Sequence, residues 1–100
     1  MVTSFFPGRI RLRAPIFKDE ILVARAKQIL EHFTALKNLE HNPVTGSVLI
    51  EYEPEEVPVE ELMKLKDFFM ELSNEAVRYD GTNAAKILKM LEEAESKLFS

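Results

Sequence analysis

The chain is predicted to fold as an α+β sandwich, an antiparallel sheet with helices over one face. Three observations predict it. Residues Arg9 to Ala14 alternate strictly between basic and apolar side chains. Leu22, Ala26, Ile29, Phe33 and Leu36 recur at helical spacing. The linker Asn42-Pro43-Val44-Thr45-Gly46 joins two segments rich in strand-forming residues. One hundred residues are enough for one hydrophobic core but not for two. A single domain is therefore expected over residues 1–100, with a core at about 7–80 and an added helix at about 82–99.

The first strand presents Ile10, Leu12 and Ala14 to one side and Arg9, Arg11 and Arg13 to the other. Period two is the mark of a half-buried strand. Pro15 ends it by removing a ladder donor. Asp19 then suits the cap of a helix, whose stripe runs from Leu22 to Leu36 with Lys27, Gln28 and Glu31 opposite.

Leu39 to His41 and Ser47 to Glu53 flank the Pro- and Gly-containing linker, the pattern of a hairpin with a longer loop. In its second strand Val48, Ile50 and Tyr52 share one face, while Ser47, Leu49, Glu51 and Glu53 share the other.

Pro58 fits the first turn of a second helix, and Glu60 and Glu61 favour its positive end. Leu62, Leu65, Phe69, Leu72 and Ala76 form its core stripe, and Val59, Met63 and Met70 a second apolar edge. Residues 75–80 admit two readings, a short fourth strand or a continuation of that helix. Asp80-Gly81-Thr82 breaks the chain, and Ala84, Ile87, Leu91, Ala94 and Leu98 stripe a third helix.

The order β-α-β-β-α-(β)-α predicts a ferredoxin-like sandwich with an additional C-terminal helix. The open sheet face should display Arg9, Arg11 and Arg13. The extra helix is expected to pack along the second one, against Val59, Met63 and Met70, or to pair with another chain.

The chain has no cysteine and a net charge of −4. No apolar run approaches the roughly 20 residues needed to span a bilayer, so membrane insertion is not expected. Phe5-Phe6-Pro7 lies where a signal peptide would carry its apolar core, and the segment lacks that pattern. With no disulfides, this points to the cytoplasm. Nucleic-acid binding is not expected from an acidic chain whose open face lacks paired aromatics for stacking bases.

Catalysis lacks its parts. The serines lie in no motif with a histidine base, Gly8, Gly46 and Gly81 are isolated rather than forming a phosphate loop, and the carboxylates show no buried pair. No enzyme, catalytic residue or cofactor is expected. His32 and His41 are the only imidazoles, and a metal site needs three or four converging ligands. Half-buried boundary histidines are the favoured reading. The acidic run from Glu51 to Glu61 lacks the Asp/Asn/Gly spacing of a calcium loop.

Two segments carry a family resemblance over roughly residues 7–53. Pro7-Gly8-Arg9-Ile10-Arg11-Leu12-Arg13 and Asn42-Pro43-Val44-Thr45-Gly46-Ser47-Val48-Leu49-Ile50-Glu51-Tyr52 resemble the first strand and the hairpin of the heavy-metal-associated domain superfamily of copper chaperones and transport-ATPase N-terminal domains. The chain is most similar to the divergent branch without the Cys-x-x-Cys motif. The resemblance implies a metal loop between the first strand and the first helix. Here that loop is Pro15-Ile16-Phe17-Lys18-Asp19-Glu20, which offers no thiolate or thioether to a soft cation.

The sequence thus points to a non-enzymatic protein-interaction or regulatory module linked to metal transport or homeostasis. Its partner would be a metal-transporting ATPase or a second copy of the chain. Arg9, Arg11, Arg13 and Lys18 are the candidates for polar docking, and Leu91 and Leu98 for apolar docking. A bland account of the arginines is a charge ladder to Glu51 and Glu53 on the neighbouring strand, worth about 0.2–1 kcal/mol per pair. The alternative function is a small-ligand or hard-metal (Zn, Ni or Ca) sensor using His32, His41 or the acidic turn.

Overall fold

Four antiparallel strands build the sheet: β1 (Val2–Phe6), β2 (Arg9–Arg13), β3 (Leu36–Asn42) and β4 (Ser47–Tyr52), side by side in the order β1-β2-β4-β3. The computed structural model describes residues 2–99. Ile10 lies opposite Ile50, which lies opposite Leu39, and Leu12 opposite Val48, which lies opposite His41. Opposed residues share a face, so this row is the inner side and the arginines stand on the outer side, as the alternation predicts.

The strand β1 had no counterpart among the predicted elements. Val2, Phe5 and Phe6 are all exposed, so the segment has no inside-outside alternation to betray it. Its signal is composition, β-branched and aromatic residues ahead of a Pro-Gly turn. It occupies the sheet edge beside β2, the place that a strand at residues 75–80 would take. That segment instead continues a helix, the second of its two readings.

The helices are α1 (Glu20–Leu30), α2 (Val59–Lys64), α3 (Lys66–Val77) and α4 (Ala84–Phe99). Asp19 caps α1, its Oδ1 accepting from the N–H groups of Ile21 and Leu22 at 3.1 Å each. The helix stops at Leu30, short of the predicted Leu36. The N–H groups of His32 and Phe33 bond to carbonyls three residues back, a tightening that ends a helix, and Leu36 opens β3 opposite Tyr52. The predicted second helix is interrupted at Leu65, where ψ is 18°.

The placement of α4 differs from expectation. It packs along α1 and against α3, and Ile87 and Ala94 are buried at that contact. Val59, Met63 and Met70 stay 58%, 61% and 54% exposed. They border, with the outer edges of Leu62 and Phe69, a shallow surface depression away from the α4 contact. The tightest core, Ile16, Leu22 and Ile87, joins the turn after β2 to α1 and α4. Among the described residues, no helix is long and apolar enough to cross a membrane.

Candidate functional site

The basic row lies on the open outer face of the sheet. Arg9 is opposite Glu51, Arg11 opposite Leu49 and Arg13 opposite Ser47, and all three arginines are exposed. The charge ladder is not formed. Only Arg9 has an acid across from it, and among the described residues neither the arginines nor Lys18 makes an ion pair. Glu51 instead accepts from Asn38 Nδ2 at 3.2 Å, and Glu53 pairs with Lys37 at 3.5 Å.

β1 widens this surface. It places Phe6 opposite Arg9 and Ser4 opposite Arg11. Arg11 and Arg13 border a shallow depression of about 600 Å³, together with Thr45, Ser47 and Glu40. Lys18 sits at the Arg13 end of the face, its stem close to Gly46 in the hairpin loop.

The position of the family's metal loop is a single 3-10 turn, Pro15–Lys18. Its donor set does not fit a soft cation. Ile16 turns into the core at 6% exposure, Lys18 brings an ammonium group, and the Phe17 carbonyl is engaged by His41 Nε2. A carbonyl only accepts, so Nε2 carries the hydrogen and is not free as a ligand.

His32 and His41 are not brought together. His41 is half-buried beside the turn before α1. His32 lies just past the other end of that 11-residue helix, about 16 Å away by helical rise. Its Nε2 is 3.5 Å from Glu95 and its ring packs 4.9 Å from that of Phe99. Among the described residues, no group of three or more His, Asp or Glu side chains converges as metal ligands would.

Polar contacts also tie the helical layer together, among them the pair of Lys86 on α4 with Glu75 on α3 at 3.3 Å. Arg25 on α1 donates to both carboxylate oxygens of Glu95 on α4, at 2.6 and 3.3 Å. This pairing raises the Arg25 pKa and lowers that of Glu95. Tyr79 donates to Asp19 at 2.9 Å, and that bond, aided by burial, raises the phenol pKa.

The feature with no signal in the sequence is a half-open apolar pocket of about 480 Å³ between the sheet and the helices. Its floor is Ile10 and Ile50, and its walls are Ile29 of α1, Phe69 of α3, and Leu91 and Leu98 of α4. The two leucines expected at an exposed docking face are half-buried and line this space. Most of the lining residues belong to ordinary apolar stripes, and only the distance between the stripes leaves the pocket unfilled.

A family model described as heavy metal associated domain 2 matches residues 1–98. No curated protein and no solved structure matches the chain.

Proposed function

The chain belongs to the heavy metal associated domain 2 family, and we propose that within it the chain acts as a non-enzymatic protein-interaction or regulatory module. It works without thiolate metal binding, in a cytoplasmic setting, on a partner linked to metal transport or on a second copy of itself. The observation that carries this reading is the row of Arg9, Arg11 and Arg13, exposed and engaged in no ion pair among the described residues. Opposite-charge pairs across neighbouring strands stabilise a sheet, and none forms in this row. A row left free is available for bidentate pairing with carboxylates of another surface. Phe6 beside Arg9 adds the aromatic–arginine combination enriched at protein interfaces. Lys18 extends the positive edge.

Photo-crosslinking tests this reading. A benzoyl-phenylalanine placed at Arg11 is expected to capture an acidic protein partner in cells, while the same group at Lys89 captures none. Substituting Arg9→Glu, Arg11→Glu and Arg13→Glu together should abolish a capture made from position 4. Absence of any adduct specific to the arginine face overturns the proposal. A melting-temperature rise with Zn²⁺, Ni²⁺, Cu²⁺ or Ca²⁺, which a tight site produces by mass action, favours the sensor instead.

A further inference from the structure

We infer that the half-open apolar pocket between the sheet and the helices is a binding site for an apolar small molecule with a neutral or cationic end group, an activity separate from docking at the arginine face. The first argument is size. The space of about 480 Å³ lies within the roughly 300–1,000 Å³ range of small-molecule sites. At ~30 Å³ per water-sized group, the 480 Å³ hold about 16 such groups, comparable to a chain of a dozen or so methylenes with its head.

The second argument is chemistry. The lining is apolar on every side, from Ile10 and Ile50 below to Leu91 and Leu98 above, with the Tyr52 phenol as its polar exception. Water against such a lining finds few polar partners, so the pocket favours a hydrophobic occupant. The third argument is charge beside the pocket. Next to the cavity, and sharing Phe33, Pro58 and Leu98 with it, lies a smaller depression that also contains Glu56 and Glu61. His32 on the same rim is engaged by Glu95. Two carboxylates in this adjoining depression repel an anionic head and admit a neutral or cationic one.

The test is uptake of N-phenyl-1-naphthylamine, an uncharged dye that brightens on leaving water. The chain is expected to take up one dye saturably, and dodecanol and dodecyltrimethylammonium are expected to displace it about tenfold more effectively than laurate. Ala94, buried on the cavity wall, gives the filling variant: Ala94→Phe should weaken uptake about tenfold or more. Met63→Lys with Met70→Lys, on the outer face, should leave it unchanged. Should Ala94→Phe not fold, methyl NMR of the unaltered chain decides, with dodecanol expected to shift Ile10, Ile50, Leu91 and Leu98 rather than Met63 and Met70.

No saturable uptake, uptake unchanged in a folded Ala94→Phe chain, loss on changing Met63 and Met70, or laurate binding as well as dodecanol would each overturn the inference. So would uptake that falls as the chain dimerises in light scattering, since a second copy would then fill the space. Substitution of the three arginines leaves this readout untouched, so failure of the docking proposal and failure of this one are separable.

Discussion

Tyr79 and Asp19 are sixty residues apart and share a 2.9 Å hydrogen bond, and the other oxygen of the same carboxylate caps α1. One side chain therefore starts a helix and anchors the segment between α3 and α4. Asp19→Ala should cost about 0.5–2 kcal/mol for the cap alone, plus the tyrosine contact, and so more than Tyr79→Phe. Urea unfolding of the two single variants and the double variant measures the shared part.

The same bond carries a pH dependence. The Tyr79 phenol is raised above the ordinary tyrosine range, first by its bond to Asp19. A raised acid is stabilised in its neutral form, so this contribution is complete below the unfolded pKa of about 10 and is lost as pH rises through the folded value. In Tyr52→Phe, Tyr79 is the single tyrosine of the chain, which has two. Its absorbance titration should fall above the free-tyrosine range, and adding Asp19→Asn should return it toward that range.

Glu95 behaves in the opposite sense. Arg25 holds its carboxyl below the usual carboxylate range, so the pairing contributes above the unfolded pKa and is lost as pH falls through the folded value. Glu95→Gln should lower the melting temperature at pH 7. The gap from the unaltered chain should close in acid, below about pH 4. A gap that persists there would assign the effect to packing.

Ile87 is 1% exposed at the junction of α4 with the rest of the core. Ile87→Ala should cost about 2–5 kcal/mol, equivalent to about 4–8 °C of melting temperature for each kcal/mol in a domain of this size. Met70→Ala on the exposed edge should stay within about 0.5 kcal/mol. Parity between the two would mean that α4 is not docked as described.

Gly46 has φ +69°, and a Cβ there would lie 2.8 Å from the Ala14 carbonyl oxygen. Gly81 also has positive φ, but nothing lies within 4 Å of its Cβ position. Gly46→Ala should therefore destabilise the chain more than Gly81→Ala, which meets only the left-handed penalty of about 1–2 kcal/mol. Thermal melts of both variants compare them directly.

Replacing Arg9, Arg11 and Arg13 by Gln should leave the melting temperature nearly unchanged, within about 0.5 kcal/mol per site, because no ion pair is lost. A large drop would mean that the arginines serve the fold rather than a partner.

The elements legible in the sequence are those whose signal is local. Arg9 to Arg13 alternates by itself, Asp19 caps the turn that follows it, and the stripe Ile87, Leu91, Ala94 and Leu98 makes a helix wherever that helix goes. β1 was hidden because an exposed edge strand is held by its main-chain ladder and needs no buried side chains. The end of α1 was misplaced because Phe33 and Leu36 continue the helical spacing although the chain has already turned.

By itself, the sequence determined the α+β class, the outward arginines and the absence of thiolate ligands in the metal loop, since period and composition are properties of short segments. Tertiary structure decided which strand took the edge beside β2, which helix α4 covered, that Glu51 and Glu53 turned to Asn38 and Lys37 instead of the arginines, and that the apolar stripes flank a half-open pocket. Those outcomes depend on distances between residues far apart in the chain, and a pattern along one segment carries no information about the gap to the next.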